Sequence, residues 1–194
     1  MNSILISPHD SILISPHDDD FALFAAFTCL RERPVIMIVF DSYLQANRGL
    51  QITHEQRAAE TLAASRELGG LPVVRLGFRD SDPTVTPDLI HSRMMKVCRA
   101  LGCGYIFGPA WEPGGHEQHN LVAEAFIEPM NNVGRYLTYT RTPCQKSTSP
   151  HEVPILEPAW IGKKLRALAC FESQFLPGTG CAPHFLRDQR EYLL

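Results

Sequence analysis

The stretch Ser15-Pro16-His17-Asp18-Asp19-Asp20 places one imidazole and three carboxylates within four consecutive residues. Carboxylates this close repel one another and raise one another's pKa values. A divalent cation would offset that repulsion, and both His and Asp are zinc ligands. The alternative is a polar turn in which one aspartate caps the helix that follows. The stretch by itself leaves a metal site and a capping turn open.

A second group of chemically active side chains lies in Gly114-Gly115-His116-Glu117-Gln118-His119. Two histidines three residues apart at the start of a helix lie about one turn apart and can face one pocket. Alone, this spacing is most often a pair of surface or capping histidines. Together with His17 and Asp20, it completes the two-histidine, one-carboxylate set of a catalytic metal with an open position.

The elements around the first group indicate how it is positioned. A short apolar run at residues 12–14 precedes it, and a run with helical character at 21–30 follows it. The continuous apolar run at 35–40 is typical of a strand that is buried on both faces of a parallel sheet. Further strands are predicted at 73–76, 105–107 and 136–140, and further helices at 53–68, 87–101, 119–130 and 158–175.

Strands that alternate with helices predict an α/β protein with a Rossmann-like, three-layer fold. We expect a mostly parallel sheet with helices on both faces. The loops after the first, second and fourth strands should then share one rim of the sheet. These loops carry residues 17–20, Asp41 and residues 112–119.

An internal repeat marks the N-terminus, because residues 3–10 recur without change as residues 11–18. Either copy could supply the first strand, but only the second continues into Asp19 and Asp20. We therefore interpret residues 1–10 as a duplicated extension and residues 11–194 as a single domain. A second metal site at His9 and Asp10 is the alternative function of the first copy.

Composition restricts the classes of partner. The chain of 194 residues is 44% hydrophobic, with a net charge of -3 and a pI of about 6.2. No basic surplus indicates nucleic acid, and the apolar runs are too short to span a bilayer. Without a signal-peptide pattern or C-x-x-C pair, six scattered cysteines favour reduced thiols in the cytoplasm. The sequence does not determine the oligomeric state.

Four motifs, in order, resemble those of the PIG-L/LmbE-like family of metal-dependent N-deacetylases, which includes the GlcNAc-phosphatidylinositol de-N-acetylases. The resemblance covers most of the chain. Its motifs are H-x-D-D at His17 to Asp20, R-x-x-E at Arg57 to Glu60, H-x-x-H at His116 to His119, and Ser173-Gln174 near the C-terminus.

The resemblance implies a role for each matching residue. His17, Asp20 and His119 match the ligands of Zn²⁺ or another divalent metal, and Asp19 matches the general base. His116 matches the residue that stabilises the oxyanion or assists the leaving amine. We expect a donor such as a protonated His116 to stabilise the tetrahedral oxyanion.

Three further residues are candidates for contact with substrate. Asp41 lies at a strand end on the expected rim. Trp111 lies in the loop before His116, and aromatic side chains are enriched in ligand sites. Arg57 matches a family position that shapes the site, although a structural salt bridge with Glu60 explains it as well.

The resemblance implies a zinc-dependent hydrolase that removes an N-acyl group, usually acetyl, from a small amino sugar or its conjugate. An amidase acting on a non-sugar amide and a non-catalytic binding module on the same fold remain as alternatives. Three positions depart from the family pattern: Asp18 stands where Pro is frequent, Phe21 where Glu is frequent, and Gln118 where Asp is frequent. None removes an expected ligand or base, but all could alter how the ligands are held.

Overall fold

The computed structural model describes residues 11–41, 52–80, 82–125, 133–136, 151–175 and 191–193. Its strands are β1 (Ser11–Ser15), β2 (Val35–Asp41), β3 (Val73–Arg79), β4 (Tyr105–Pro109), β5 (Val133–Tyr136), β6 (His151–Glu152) and β7 (Tyr192–Leu193). Its helices are α1 (Asp20–Phe24), α2 (Ala26–Glu32), α3 (His54–Glu67), α4 (Pro87–Leu101), α5 (Glu117–Glu124) and α6 (Ala159–Ala169), followed by a 3-10 helix (Glu172–Phe175). None of the helices in these ranges is long and apolar enough to cross a membrane.

All the strands belong to one sheet, in the order β3-β2-β1-β4-β5-β7-β6. The pairings from β3 through β5 are parallel, and β7 and β6 add antiparallel pairings at one edge. The prediction of a mostly parallel sheet is confirmed. The chain moves outward from β1 to β2 and β3 and then returns to place β4 on the other side of β1. This reversal creates a switch point, where open α/β sheets bind ligands.

Alternate residues of the central strands supply the cores on the two faces of the sheet. Leu13 and Ile36 pack with residues of α1, α2, α3 and α6 on one face. Ile12 and Met37 pack with residues of α4 and α5 on the other face. Every residue of β1 and β2 is buried, as expected for strands covered on both faces. The three-layer prediction is confirmed.

The second copy of the repeated octapeptide supplies the central strand. Ile12 pairs with Val35 of β2 on one side and with Ile106 of β4 on the other. The first copy, with His9 and Asp10, lies outside the described residues. The interpretation of residues 1–10 as an extension therefore stays a prediction.

Two helices start as their sequences predict. Thr53 accepts a hydrogen bond from the backbone N–H of Gln56 at 3.1 Å, and Thr86 accepts one from Leu89 at 3.3 Å. Each bond satisfies an N–H that has no partner inside the helix. Helix α4 ends at Gly102, whose φ of 66° lies in the left-handed region that glycine tolerates.

The helix predicted at 21–30 is interrupted at Ala25, so α1 and α2 are separate. The backbone N–H of Phe27, at the start of α2, donates to the Glu191 carboxylate at 2.8 Å. Glu191 is remote in sequence and caps the second helix from the C-terminal part of the chain. No local pattern in residues 21–32 encodes this long-range bond.

Other boundaries also differ from the predicted ones. Helix α5 begins at Glu117 rather than 119, because the His116 side chain caps it. The predicted helix 158–175 ends at Ala169 and continues only as the 3-10 helix. Strand β5 covers Val133–Tyr136, and the rest of the predicted strand, 137–140, lies outside the described residues. Short strands β6 and β7 lie in segments for which the sequence predicts no strand.

Candidate active site

The turn after β1 is held by its own hydrogen bonds. The Ser15 hydroxyl donates to the carbonyl of His17 at 2.6 Å and accepts from the backbone N–H of Phe21 at 3.0 Å. The backbone N–H of His17 donates to Asp20 Oδ2 at 2.7 Å. These hydrogen bonds hold the turn without the help of a ligand and keep His17 and Asp20 close to each other.

Three side-chain atoms converge at the switch point of the sheet. His17 Nδ1 and Asp20 Oδ2 are 3.1 Å apart, His119 Nε2 lies 3.1 Å from His17 Nδ1, and the third side, from His119 Nε2 to Asp20 Oδ2, is also 3.1 Å. The structure thus brings together residues that lie a hundred positions apart in sequence. Asp20 and His119 are almost completely buried, at 3% and 1% exposure.

This triangle fits one divalent ion. Nitrogen and oxygen ligands bind zinc at about 2.0–2.1 Å, so ligands at octahedral to tetrahedral angles are separated by about 2.9–3.4 Å. The observed separations of 3.1 Å fall within that interval. Two imidazole nitrogens and a carboxylate oxygen are also the donor types expected of a catalytic site that keeps a coordination position open.

The charge of each residue in the triangle depends on the charges of its neighbours. Burial disfavours a charged His17, but its hydrogen bond and ion pair with Asp20 outweigh burial and raise the pKa of His17 to about 9. Burial likewise opposes ionisation of Asp20, yet the adjacent His119 and His17 hold the pKa of Asp20 well below its ordinary value. A permanent carboxylate is therefore available at one corner of the triangle.

Asp19, beside the triangle, faces a buried guanidinium. Arg57 Nη2 lies 3.4 Å from Asp19 Oδ1. Burial raises the pKa of Asp19, with Asp20 and Asp18 adding to the rise and Arg57 opposing it. A carboxylate with a raised pKa is better suited to accept a proton near neutral pH than an ordinary one.

His116 caps helix α5 and is neutral near pH 7. Its side chain accepts a hydrogen bond from the backbone N–H of Gln118 through Nδ1 at 3.3 Å. Burial, together with the facing His17 and His119, lowers the pKa of His116 to about 4. Because Nδ1 is an acceptor, the ring proton sits on Nε2, which can donate. This neutral donor differs from the protonated ring expected from the sequence.

Arg57 lies inside the protein, where it joins helix α3 to the C-terminal 3-10 helix. It is 3% exposed, and its Nη1 lies 3.2 Å from Glu60 Oε2. Glu60 also accepts from the backbone N–H and the hydroxyl of Ser173, at 2.8 and 2.6 Å. The R-x-x-E motif and Ser173 thus form one buried network, which reaches the site through Asp19.

Asp41 lies at the end of β2 in a second ion network. Arg75 on β3 donates to Asp41 at 2.8 Å through Nη1 and to Asp18 through Nη2. Burial alone would raise the pKa of Asp18, but the charges of Arg75 and Arg57 outweigh burial, so the pKa lies below its ordinary value. Asp18 also accepts from the Thr61 hydroxyl at 2.8 Å. The sequence analysis did not single out Arg75, although a charge inside an apolar strand was a visible signal.

The side-chain amide of Asn120 holds the two ends of the loop between β4 and α5 together. Asn120 accepts from the backbone N–H of Glu112 and donates to its carbonyl, both at 2.9 Å. A Cβ on Gly115 would lie 3.0 Å from that carbonyl oxygen, so glycine allows the close approach. Trp111, in the same loop, is 52% exposed. The sequence analysis missed Asn120, which holds the loop before the two histidines.

No protein-family profile and no curated protein matches this chain. Several solved structures match it in fold. The zinc-inhibited form of the teicoplanin deacetylase Orf2 is 16% identical, with a TM-score of 0.70 over 94% of this chain and 97% of that one. The N,N'-diacetylchitobiose deacetylase from Pyrococcus horikoshii is 18% identical, with a TM-score of 0.68 over 90% of this chain and 74% of that one.

The same fold also serves different chemistry. GalB, the 4-carboxy-2-hydroxymuconate hydratase from Pseudomonas putida KT2440, is 16% identical, with a TM-score of 0.64 over 94% of each chain. Function must therefore be argued from the site rather than from the fold. The chain therefore has the same α/β fold as these two deacetylases and this hydratase.

Proposed function

We propose that this protein is a metal-dependent hydrolase that removes an N-acyl group, in particular N-acetyl, from a small amino sugar or its conjugate. The observation that carries the proposal is the triangle of His17, Asp20 and His119, with Asp19 and His116 beside it. The deacetylases that share this fold support the choice of an amide bond. The nature of the triangle's donors favours zinc, although another divalent metal fits the same ligands.

In the proposed reaction, the metal ion and the side chains have separate roles. A divalent ion held by His17, Asp20 and His119 would lower the pKa of a water molecule and polarise the amide carbonyl. Asp19 accepts the proton of the attacking water, and Arg57 holds the Asp19 carboxylate in place. The Nε2–H of His116 donates to the carbonyl oxygen as it becomes negative. Asp19 then returns its proton to the leaving nitrogen as the C–N bond breaks, giving an amine and a carboxylic acid, which loses its remaining proton to solvent.

The remaining residues of the proposed site act around this centre. Trp111 is exposed on the loop before His116 and is proposed to pack against substrate. Asp41 and Arg57 were expected to contact substrate, and both are held by ion pairs, so we propose that they support Asp18 and Asp19 instead. We also propose a cytoplasmic enzyme without a nucleic-acid partner, consistent with the free thiols of Cys29, Cys98, Cys103 and Cys170 and the acidic net charge.

Metal content and acetate release test the proposal together. Purified protein should contain about one divalent ion per chain, by elemental analysis, because the three atoms of the triangle lie close enough to share a single ion. It should release acetate from N-acetylglucosamine or diacetylchitobiose. Asp20→Ala is the matched control and should lose both the metal and the activity. Metal-loaded protein that cleaves neither N-acetyl sugars nor simple acetamides would contradict the proposal.

A further inference from the structure

A chain of two hydrogen bonds runs from the ring of His17 to a carboxylate outside the triangle. His17 Nε2 lies 2.6 Å from Gln118 Oε1. On the other side of the same amide, Gln118 Nε2 lies 2.7 Å from Asp80 Oδ1. Asp80 follows β3 directly, and its backbone N–H donates to the carbonyl of Asp41 at 3.2 Å. The chain therefore connects the ends of β3, α5 and β1.

The direction of these bonds is set by Asp80. A carboxylate can only accept, so the NH₂ group of Gln118 must face Asp80. The amide oxygen then faces His17, and an oxygen can only accept, so His17 Nε2 must carry a proton and donate it. When the ring of His17 is neutral, as metal binding requires, the proton on Nε2 leaves Nδ1 as the nitrogen that presents a lone pair to the triangle. It lies 3.1 Å from both Asp20 Oδ2 and His119 Nε2.

We infer that Asp80 is a positioning residue that acts through Gln118 to fix the tautomer and orientation of His17 for metal binding. The inference rests on the proposed function and adds to it a residue that touches neither metal nor substrate in this role. Partners of the second ring nitrogen of a metal-bound histidine usually change metal affinity by about 10–100-fold when removed. Here the partner is a neutral amide, whose orientation depends on a further carboxylate.

The first test measures the affinity for Zn²⁺ by competition with a chelating indicator. Asp80→Asn should weaken binding by about tenfold, because an amide at position 80 no longer dictates which way Gln118 turns. Asp88→Asn is the matched control: it removes the same charge from an exposed site in the first turn of α4 and should leave the affinity unchanged.

The double variant Asp80→Asn/Gln118→Glu separates the hydrogen-bond chain from a general loss of charge or packing. It keeps the net charge of the wild-type protein and reverses the polarity of the chain. The carboxylate at position 118 accepts from His17 Nε2–H on one side and from the amide at position 80 on the other. Most of the affinity lost in Asp80→Asn should therefore return, which a purely structural role of Asp80 does not predict.

The second readout is the exchange of the His17 Nε2–H proton with water, followed by ¹H–¹⁵N spectroscopy in metal-free and zinc-loaded protein. Exchange should be slow in the wild-type protein and in the double variant, and on the order of tenfold faster in Asp80→Asn. If the wild-type protein binds neither zinc nor another divalent metal, the proposed function fails. If it binds zinc and Asp80→Asn matches it in affinity and exchange, or the double variant recovers nothing, this inference alone is overturned.

Discussion

Three consecutive aspartates of identical chemistry have three different partners. Asp18 faces Arg75 and Thr61 in the interior, and Asp19 faces Arg57. Asp20 faces the two histidines that complete the triangle. Because basic side chains lie beside each carboxylate, and Arg57 lies near both Asp18 and Asp19, their mutual repulsion is offset locally. The three positions are therefore not interchangeable, although the sequence shows only a run of one residue type.

Asp19 and Asp20 can be separated by experiment. Asp19→Asn should retain the metal but lower kcat by about 10²–10⁴-fold, because the general base is lost while the ligands remain. Asp20→Ala should lose the metal as well, because one corner of the triangle is removed. Elemental analysis and turnover of the same preparations check both outcomes. Equal loss of metal in the two variants would show that the roles are assigned wrongly.

Arg57 offers a test of positioning against substrate contact. Its guanidinium is buried between Asp19 and Glu60, so Arg57→Lys should lower kcat by on the order of tenfold, or about 1.4 kcal/mol of barrier, and change KM little. Arg66→Lys, on the exposed side of the same helix, is the control. Steady-state kinetics on the substrate found by acetate release give both constants. A raised KM with unchanged kcat would instead indicate that Arg57 contacts substrate, as the sequence suggested.

At the scale of elements, one buried ion pair holds the C-terminal segment on the helical layer. Lys164 Nζ on α6 lies 2.7 Å from Glu191 Oε1, and Glu191 Oε2 accepts from the backbone N–H of Phe27 at 2.8 Å. Both side chains are 2% exposed. The Glu191 carboxylate thus joins α6 to the start of α2, and removing its cation would leave a buried charge.

Lys164→Met should lower the free energy of unfolding by about 3–5 kcal/mol near neutral pH, the usual cost of breaking a buried pair. Burial already raises the pKa of Glu191 above the ordinary 4.5, with Lys164 opposing the rise. Without Lys164 the folded state retains the Glu191 proton to higher pH than the unfolded state does. Stability of the variant therefore falls as pH rises through that window, and the loss should be smaller at about pH 5 than at about pH 8.

Urea unfolding at both pH values measures this difference. The control is Lys164→Met/Glu191→Gln, which has no carboxyl at position 191. It should recover most of the stability at about pH 8 and show little difference between the two pH values. A loss in Lys164→Met that is the same at both pH values would contradict the prediction.

Local signals predicted the elements that depend on local contacts. The apolar runs that became β1 and β2 and the cap at Thr53 could be seen directly in the sequence. The break at Ala25 could not, because its cause is a carboxylate supplied by Glu191. In the site, His17 and His119 were visible as motifs, whereas Arg75, Asp80 and Asn120 act through partners distant in sequence or through loop geometry. A single charged or amide side chain has no repeated spacing in the sequence from which its distant partner could be predicted.

At the scale of the whole molecule, the duplicated octapeptide leads to a deletion test. The second copy forms β1 and leads directly into Asp19 and Asp20. Deleting residues 3–10 should leave metal content and activity intact or improved, because it removes a competing copy of the central strand. Because the two octapeptides are identical, deleting residues 11–18 gives the same sequence, so a single variant represents both deletions.

Metal content, acetate release and thermal unfolding of this deletion variant check the expectation, with the full-length protein as the control. Loss of folding or activity in the variant would show that the N-terminal residues have a structural role of their own.

The position of β1 in the sheet also has a consequence for the time course of folding. Its partner on one side, Val35, follows Ile12 closely along the chain, whereas its partner on the other side, Ile106, is made much later. Parallel pairings between distant segments form slowly, because a long loop must close first. During synthesis, β1 and β2 can therefore pair while the place of β4 is still empty. In that interval both copies of the octapeptide can compete for pairing with β2. Only when β4 and His119 are added is the second copy, which leads into Asp19 and Asp20, stabilised over the first.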